Sequence, residues 1–378
     1  MRATVARPVK RSSLQANRPS ADPLDPSVRL AIRRKLMAWY DRHRRDLPWR
    51  RRTDAYGQWV AEVMLQQTRV ETVRDYYERF LRRFPDLATL AQADHDEVLR
   101  YWQGLGYYRR ALHLHRAARL LFQREEHVPD SFDELLRLPG IGDYTAAAIA
   151  SIAFNRPVAA VDGNVARVLS RLMGISADVL SGKGKAQIKA IAQGLLSVER
   201  PGDFNQAWMD LGSMLCTPVA PHCDLCPLAA GCVALRAGRV GELPPPRTRR
   251  EKPRQSILVG VFTRRGRMLL RKRPVGGLWS GLWEFPNEFA NGSSKRELLR
   301  TLARNEGVKL IRPLRRMGRL RHELTHRSME LTVVTGEVSL NGRSKDARRK
   351  WVTPQGLENL SLSTAHRRVF ELFRSAEI

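Results

Sequence analysis

The stretch CTPVAPHCDLCPLAAGC (Cys216–Cys232) contains every cysteine of this 378-residue chain. The thiols follow the spacing C-x6-C-x2-C-x5-C, so one short loop could close them around a metal centre. The residues between them include prolines and a glycine, as a loop that wraps a bound group requires. The four candidate ligands are Cys216, Cys223, Cys226 and Cys232.

Three kinds of site use four cysteines at short spacing. Disulfides need an oxidising compartment, and residues 1–27 lack the apolar core of a secretory signal peptide. Structural zinc sites usually contain two C-x2-C pairs, whereas here only Cys223 and Cys226 form one. An iron–sulfur cluster is the third alternative. The spacing is similar to the four-iron cluster loop of the endonuclease III superfamily of DNA glycosylases.

The composition indicates a chain that binds a polyanion. Its 378 residues are 43% hydrophobic, which is enough for two domains with their own cores. The formal net charge is +28, so nucleic acid is the default partner, although ribosome-associated and membrane-surface proteins are also basic. No apolar run approaches the length of a membrane-spanning helix. We therefore expect a soluble protein in the cytoplasm, associated with the nucleoid in a bacterium.

Composition and periodicity divide the chain into four parts. Residues 1–27 carry five Lys or Arg with little periodicity and predict a disordered basic arm, with an organelle transit peptide as the alternative. Residues 28–235 have an almost continuous helical pattern. Residues 236–255 combine prolines with many charges, which is typical of an extended linker. Residues 256–378 change to strand periodicity and carry an excess of 14 positive charges, so this part should also contact the polyanion.

Apolar residues recur at helical spacing in many segments before the linker. These segments are 28–40, 56–67, 71–83, 95–101, 109–122, 132–138, 145–154, 164–172 and 185–196. Beyond the linker the pattern predicts an α+β domain. It is predicted to contain a hairpin at Ile257–Thr263 and Met268–Leu270, a strand at Leu331–Val338, and helices at 295–305 and 364–374.

The sequence LPGIG (Leu138–Gly142) joins two of the helical segments. Two glycines on either side of one aliphatic residue permit a tight turn and positive φ. Such a turn exposes backbone N–H groups at the start of the next helix, where an anion can bind. The pattern resembles the helix-hairpin-helix motif, which grips DNA phosphate without reading sequence. Gly140 and Gly142 are therefore candidate DNA contacts, and a simple turn between helices is the alternative.

Two acidic residues are candidates for catalysis. Asp162 lies in VDGNV (Val161–Val165) just before a helix, where an Asp is usually an N-cap. Glu62 lies in WVAEVMLQQT (59–68), where nearly all neighbours are apolar. A lone acid in such a run is either on an exposed helical stripe or buried. Burial would raise its pKa and keep it protonated near neutral pH.

Five motifs in a fixed order resemble those of adenine DNA glycosylases of the MutY family. They are WVAEVMLQQTRV (59–70), GLGYYR (104–109), LPGIGDYT (138–145), VDGNV (161–165) and the cysteine loop (216–232). The resemblance covers about residues 28–235 and continues more weakly to the C-terminus. It implies a mainly α helix-hairpin-helix glycosylase domain with a four-cysteine iron–sulfur loop that holds a 4Fe-4S cluster. An α+β Nudix-like domain would follow.

The resemblance implies cleavage of the N-glycosidic bond of adenine. Adenine leaves poorly as an anion, so a general acid should protonate it, at N7 in the family's mechanism, while a carboxylate faces the oxocarbenium-like sugar. Carried over to this chain, Glu62 is the acid and Asp162 is the carboxylate that stabilises or transiently bonds the sugar. Three further residues match positions near this site: Tyr144, which in some members bonds to the catalytic Asp, Asn164 and Arg45. For Arg45 an ordinary surface position is the alternative.

The same resemblance assigns DNA contacts to two other motifs. Gln67 and Thr68 follow Glu62, and Leu105 and Tyr107 lie in the GLGYYR motif. In the family, residues matching Gln67, Leu105 and Tyr107 enter the base stack beside the mispaired purine, which lowers the energy needed to open the duplex. Core packing is the alternative for Leu105 and Tyr107. The expected partner is double-stranded DNA with adenine opposite 8-oxoguanine or guanine, bound by a monomer.

Position 144 distinguishes between related activities. The endonuclease III branch has a lysine there, which forms a Schiff base with the sugar and cleaves the strand. This chain has Tyr144, so we predict base removal without efficient β-lyase action. An endonuclease III-like bifunctional pyrimidine glycosylase and AP lyase is the alternative. A non-catalytic iron–sulfur protein that binds DNA would not need both Glu62 and Asp162.

The C-terminal part resembles a Nudix hydrolase without its metal site. GLWEFP (281–286) is similar to a segment of the family's C-terminal domains, but the nearest match to the Nudix box, at 296–300 and 305–307, lacks its paired glutamates. We therefore expect lesion recognition and not nucleotide hydrolysis. In the family an F-S-H loop inspects 8-oxoguanine, and Thr325 and His326 match its last two positions. A solvent-facing strand histidine is the alternative for His326.

Overall fold

The computed structural model describes residues 25–376, apart from residues 53, 180, 247–250, 275, 291, 293 and 342–347. The predicted basic arm lies outside the described residues as far as residue 24, and the predicted linker lies partly outside them. The first helix begins at Pro26, two residues before the predicted boundary. The first strand begins at Arg254, inside the predicted linker. Within these ranges, no helix is both long and apolar enough to cross a bilayer.

The N-terminal part of the described chain is helical, as predicted. Its helices are α1 (Pro26–His43), α2 (Ala55–Leu65), α3 (Val70–Arg83), α4 (Leu87–Gln92), α5 (His95–Trp102), α6 (Arg109–Gln123), α7 (Phe132–Leu136), α8 (Asp143–Phe154), α9 (Gly163–Met173), α10 (Gly182–Leu195), α11 (Pro201–Met214) and α12 (Val233–Arg236). Helices α4, α11 and α12 lie outside the predicted segments. In α11, the buried polar residues Asn205, Gln206 and Asp210 interrupt the apolar pattern on which the prediction depends.

The helices pack into two neighbouring cores. Helices α2, α3, α5, α6 and α8 supply the first core, around Trp59, Phe80 and Trp102. Helices α1, α9, α10 and α11 supply the second, around Phe204 and Trp208, and three of the four cysteines pack against it. Helix α11 contacts both α8 and α9, so it joins the two cores.

The C-terminal part is an α+β domain with one mixed sheet, as predicted. Its strands are β1 (Arg254–Arg264), β2 (Arg267–Lys272), β3 (Trp283–Glu284), β4 (Asn287–Phe289), β5 (Val308–Leu310), β6 (Arg315–Glu323), β7 (Ser328–Leu340) and β8 (Arg349–Val352). Its helices are α13 (Lys295–Glu306), α14 (Pro354–Glu358) and α15 (Thr364–Ala376). Strands β1 and β2 form the predicted hairpin, and β1 lies parallel to β7 in the middle of the sheet.

Both faces of this sheet are covered. Along β1, Ile257, Val259 and Val261 pack into the core that α15 shares, whereas Leu258 and Phe262 pack on the side of α13. Successive side chains of a strand point to opposite faces, so a nearly continuous apolar run marks a strand buried on both sides. The domain therefore has a core of its own.

The C-terminal domain packs directly on the helical domain. Leu282 is buried in the first helical core, and Trp279 packs against both that core and the core of the sheet. Gln103 Nε2, at the end of α5, donates to the Leu362 carbonyl at 3.0 Å. These contacts make the two domains the walls of a common cleft.

Candidate active site

Glu62 is buried in the middle of α2. Every residue of this helix from Tyr56 to Met64 is buried, so the helix has no exposed face here. The carboxyl group accepts two hydrogen bonds: Tyr144 Oη donates to Oε2 at 2.9 Å, and Gln58 Nε2 donates to Oε1 at 2.7 Å. Of the two positions that the sequence left open for this acid, the structure shows the buried one.

The surroundings of Glu62 favour its protonated form. Burial removes water from the carboxyl group and raises its pKa from the ordinary 4.5 to about 7. The hydrogen bonds from Tyr144 and Gln58 act in the opposite direction, and so does the charge of Arg50. The nearby charge of Asp162 adds to the increase. At neutral pH a substantial fraction of Glu62 therefore carries a proton that it can donate.

Asp162 is half-buried and caps the N-terminus of α9. Its Oδ1 accepts from the backbone N–H of Val165 at 2.7 Å, and its Oδ2 accepts from Asn164 Nδ2 at 2.9 Å. Burial raises the pKa of Asp162, while these two hydrogen bonds and the charge of Arg167 oppose the increase. The N-cap role and a second role for this carboxylate are thus compatible, because hydrogen-bond donors to its oxygens favour the charged form that a cationic sugar needs.

Tyr144 links the two acids in one site. It lies in the first turn of α8, and its pKa is raised well above the ordinary value by burial and by the charges of Glu62 and Asp162. Both carboxyl groups are therefore within electrostatic range of one phenol. The resemblance predicts a bond from this tyrosine to the catalytic Asp, but the hydroxyl donates to Glu62 because α8 packs against α2.

Arg45 is paired with a buried carboxylate, and its expected place near the catalytic site stays a prediction. Its Nη2 lies 2.6 Å from Oδ1 of the fully buried Asp210, and Arg50 Nη1 lies 2.7 Å from Oδ2 of the same carboxylate. Among the described contacts, Arg45 touches neither Glu62 nor Asp162. Its side chain is 26% exposed, so it is not a free surface arginine either. It fixes the segment before α2 to α11.

Three residues around Glu62 were not found from the motifs: Gln58, Arg50 and Asp210. Gln58 lies one helical turn before Glu62, and this spacing alone could have indicated a contact between the two side chains. Arg50 and Asp210 are 160 residues apart in the chain, and no local pattern pairs them.

Asn164 connects the candidate site to the cysteine loop. Its Oδ1 accepts from Arg167 Nη2 at 2.9 Å, and Arg167 Nε donates to the Cys216 carbonyl at 2.8 Å. A Cβ at Gly212 would lie 2.7 Å from the Asn164 Cβ, so this glycine lets α11 approach α9 closely. Hydrogen bonds thus connect Asp162 through Asn164 and Arg167 to the backbone of Cys216.

No disulfide joins the four cysteines, and Cys216, Cys226 and Cys232 pack against the second helical core. Arg171 Nη1 lies 3.4 Å from the Cys216 sulfur and donates to the Thr217 carbonyl at 2.7 Å, while its Nε donates to the Leu243 carbonyl at 2.8 Å. The Cys232 sulfur lies 3.5 Å from the Arg171 carbonyl. A buried cation therefore holds the loop where anionic sulfur ligands would meet.

Four thiolates on one loop can hold either a zinc ion or a four-iron cluster. Within the described ranges, no three His, Cys, Asp or Glu side chains are close enough together to hold one metal ion. A zinc ion needs its four ligands around one centre at about 2.3 Å for sulfur. A four-iron cluster offers a separate iron to each thiolate, so its ligands stand further apart.

The LPGIG turn joins α7 to α8 as predicted. Gly140 has φ +82°, and a Cβ there would lie 2.5 Å from the His113 Cβ, so only glycine fits. Gly142 is exposed, caps α8 and has open space around it. Among the described residues, the N–H groups of both glycines have no hydrogen-bond acceptor, which leaves them available to an anion.

Two of the predicted base-stack residues are exposed in left-handed conformations. Gln67 has φ 58° and Tyr107 has φ 47°, which is strained for residues other than glycine and is common at functional sites. Thr68 is half-buried and accepts from Arg110 Nη2 at 3.0 Å. Leu105 is buried in the first core, which agrees with core packing, the alternative to a DNA contact.

Thr325 and His326 lie in the turn between β6 and β7 and not on a strand. The Thr325 hydroxyl is hydrogen-bonded to the Tyr107 hydroxyl across the domain boundary. Both turn residues line a cleft of about 680 Å³ whose opposite wall includes Gln67 and Tyr107. The two sets of predicted DNA contacts, far apart in the chain, therefore face one space.

The Nudix-like domain uses its buried glutamates for ion pairs. Arg271 contacts Glu284 at 2.9 Å and Glu306 at 3.1 Å, and Arg273 contacts Glu284 at 2.7 Å. Glu297 closes the capping box at the start of α13. Glu306, in the nearest match to the Nudix box, is thus paired with Arg271, and Glu297 serves as a helix cap.

Comparisons with known proteins agree with this geometry. Residues 60–197 match the model of the HhH-GPD superfamily of base excision DNA repair proteins, and residues 258–372 match a NUDIX domain. The chain is 36% identical to the adenine DNA glycosylase of Rattus norvegicus, over 91% of this chain and 78% of that protein. It is also 36% identical to the adenine DNA glycosylase of Homo sapiens, over 92% of this chain and 74% of that protein.

The helical domain also resembles a solved structure. A thermostable thymine-DNA glycosylase is 28% identical and superposes with a TM-score of 0.52, covering 56% of this chain and 98% of that one. The predicted fold, a helical glycosylase domain followed by a Nudix-like domain, is confirmed by these matches.

Proposed function

Because the chain belongs to the family of adenine DNA glycosylases, we propose that it removes adenine paired with 8-oxoguanine or guanine in double-stranded DNA and leaves the strand uncut. The observation that carries this proposal is Glu62, a buried carboxyl group with a pKa of about 7 beside Asp162. Burial raises the pKa of Asp162 too, but the Val165 N–H, Asn164 and the charge of Arg167 oppose that increase, which suits Asp162 to the charged role.

Glu62 acts as the general acid. Its proton is available near neutral pH, and Tyr144 and Gln58 hold both carboxyl oxygens in place. Protonation of the extruded adenine turns a poor anionic leaving group into a neutral one, which weakens the bond between base and sugar.

Asp162 stabilises the sugar as that bond breaks. The deoxyribose becomes oxocarbenium-like, and a carboxylate next to it offsets the developing positive charge. Val165 N–H and Asn164 fix the two oxygens, so little reorganisation is needed when the charge appears.

Strand cleavage by a Schiff base is not expected. That chemistry needs an amine at the sugar, and the residue at position 144 is a tyrosine whose hydroxyl is engaged by Glu62. The product would be an intact strand with an abasic site.

DNA binding involves two kinds of contact, one to a backbone phosphate and one to the bases of the opened duplex. The exposed N–H groups of Gly140 and Gly142 bind a backbone phosphate, while Gln67 and Tyr107 replace stacking that the extruded adenine gives up. Thr325 and His326, on the other wall of the cleft, contact the opposite purine. One molecule of the protein would suffice for these contacts.

The four cysteines hold a 4Fe-4S cluster with a structural role. Bound there, the cluster would fix the loop whose Cys216 carbonyl accepts from Arg167. Arg167 in turn donates to Asn164, and Asn164 donates to Asp162. Purified protein should be yellow-brown and contain about four irons per chain. Colourless protein with stoichiometric zinc would contradict this assignment.

The function is tested with duplexes that carry adenine opposite 8-oxoguanine, adenine opposite guanine, or an oxidised pyrimidine. Each is incubated with the protein and analysed with and without alkali, which cuts at abasic sites. We expect cleavage of the adenine strand alone, and only after alkali. Cleavage without alkali, or release of the oxidised pyrimidine, would instead support the endonuclease III-like activity.

A further inference from the structure

Arg110, on α6, lies beneath two loops of the candidate DNA interface, at residues 66–68 and 105–107, and is hydrogen-bonded to both. It is buried, and its guanidinium makes seven hydrogen bonds. Nη1 donates to the carbonyls of Val63, Met64 and Gln66 at 2.9, 2.7 and 2.5 Å. These are the last carbonyls of α2 and of the turn after it, which a cation at a helix C-terminus stabilises.

Of the four remaining bonds, one goes to the Thr68 hydroxyl and three hold the loop at residues 105–107. Nη2 donates to the carbonyls of Leu105 at 3.4 Å and Gly106 at 3.1 Å, and Nε donates to the Tyr107 carbonyl at 3.4 Å. The guanidinium also lies 5.4 Å from the ring centroids of both Trp102 and Tyr107. Burial lowers the pKa of Arg110 to about 10, so the group stays charged at neutral pH.

We infer that Arg110 is a positioning residue for duplex opening: it fixes the loops at 66–68 and 105–107 relative to each other so that Gln67 and Tyr107 reach the base stack together. Both residues are held in strained left-handed conformations, which persist only where the surroundings determine them. Arg110 lies beneath them and does not itself contact DNA. This inference rests on the proposed function, because it assigns a task to residues of that site.

Arg110→Lys tests the inference while keeping the charge. An ammonium is a compact donor and cannot span acceptors on two loops as a planar guanidinium does. Arg116→Lys is the matched control, since Arg116 is an exposed arginine on the same helix. Each variant is assayed under single turnover on two substrates: adenine paired with 8-oxoguanine, and adenine already unpaired in a small internal loop.

Arg110→Lys should release paired adenine roughly tenfold more slowly, because opening the duplex requires a few kcal/mol. It should release the already unpaired adenine within about twofold of wild type, and 2-aminopurine at the target position should brighten less on binding. Arg116→Lys should match wild type on both substrates. A folding defect would instead slow both substrates equally.

Equal losses on the two substrates, or no loss on either, would overturn the inference. If Arg110→Lys does not fold, Trp102→Phe takes its place. That change removes one bond to the Gly106 carbonyl, at 3.1 Å, and should cause a smaller loss that is again confined to the paired substrate. Failure of the wild-type protein to release adenine would overturn the proposed function itself, which is a separate result.

Discussion

Glu62 in the helical domain and Glu284 in the Nudix-like domain are both almost completely buried, and their surroundings are opposite. Glu62 is 3% exposed and accepts hydrogen bonds from the Tyr144 hydroxyl and the Gln58 side-chain amide. Burial raises its pKa to about 7. Glu284 is 2% exposed and paired with Arg271 and Arg273. Burial acts to raise the pKa of Glu284 too, but the neighbouring cationic groups outweigh burial and lower it.

The comparison shows that burial alone does not make an acid reactive. Glu62, whose hydrogen-bond partners are neutral, carries a proton that it can donate near neutral pH, whereas Glu284, paired with Arg271 and Arg273, stays charged and serves as a fixed counterion. In the proposed function the buried acid of the helical domain serves chemistry, whereas Glu284 of the Nudix-like domain is held in ion pairs with two arginines.

The largest expected effect comes from removing the proton donor. Glu62→Gln should slow adenine release by roughly 10²- to 10⁴-fold, since an amide cannot act as the acid. Asp162→Asn should also abolish measurable release, while Asn keeps the N-cap of α9. Single-turnover assays would check both, with duplex binding expected to stay within a few-fold. Glu284→Gln is the matched control, and a comparable loss in that variant would remove the distinction between the two glutamates.

The second effect is on stability and concerns Glu284. Glu284→Gln leaves Arg273 without its buried counterion and Arg271 with Glu306 alone, which should lower the free energy of unfolding by about 3 kcal/mol. Chemical denaturation measures this change. Glu330→Gln, which removes an exposed partner of Arg319, should change it by less than about 1 kcal/mol. Equal effects from the two changes would show that the buried ion pair has no special structural role.

The third effect is an increase in the free energy of unfolding when Glu62 is replaced. The pKa of Glu62 is raised on folding, so its contribution to stability is fully present below about pH 4.5 and is lost as the pH rises through about 7. Glu62→Gln does not titrate and should be more stable than wild type above pH 7, by on the order of 1–3 kcal/mol. The gain should disappear near pH 4. Chemical denaturation at pH 4 and pH 8 measures this gain. A gain in stability of the same size at both pH values would contradict the prediction.

The smallest effect concerns the phenol. The hydrogen bond from Tyr144 lowers the pKa of Glu62, so Tyr144→Phe should shift the alkaline decline of adenine release to higher pH by roughly half a pH unit. Rate profiles against pH would detect this shift. Tyr56→Phe removes another buried tyrosine hydroxyl, bonded to the Phe84 carbonyl, and should leave the profile in place. A shift in both variants would point to a general effect on packing.

Local patterns in the sequence predicted much of the fold and the candidate site. The apolar neighbours of Glu62 left burial and an exposed helical stripe as its two alternatives, the position of Asp162 before a helix indicated a cap, and the two glycines of LPGIG indicated a turn. These features depend on residues a few positions apart, which is the range over which helical periodicity and turn chemistry act.

Features that depend on distant residues could not be predicted. The pairing of Arg45 and Arg50 with Asp210 joins α11 to the segment before α2. Arg110 would be expected at the surface, as arginines usually are, and only the meeting of two loops over α6 explains its burial. The bond of Tyr107 to Thr325 depends on how the two domains dock.

The protonation state of Glu62 is the property on which the account depends most. Infrared difference spectra between wild type and Glu62→Gln, recorded from pH 4 to pH 9, would isolate the carbonyl band of its protonated carboxyl group. We expect this band to persist at pH 6 and to disappear with a midpoint near pH 7. A midpoint near the ordinary value of 4.5 would show that Glu62 is already ionised at neutral pH, and it would contradict its role as the acid.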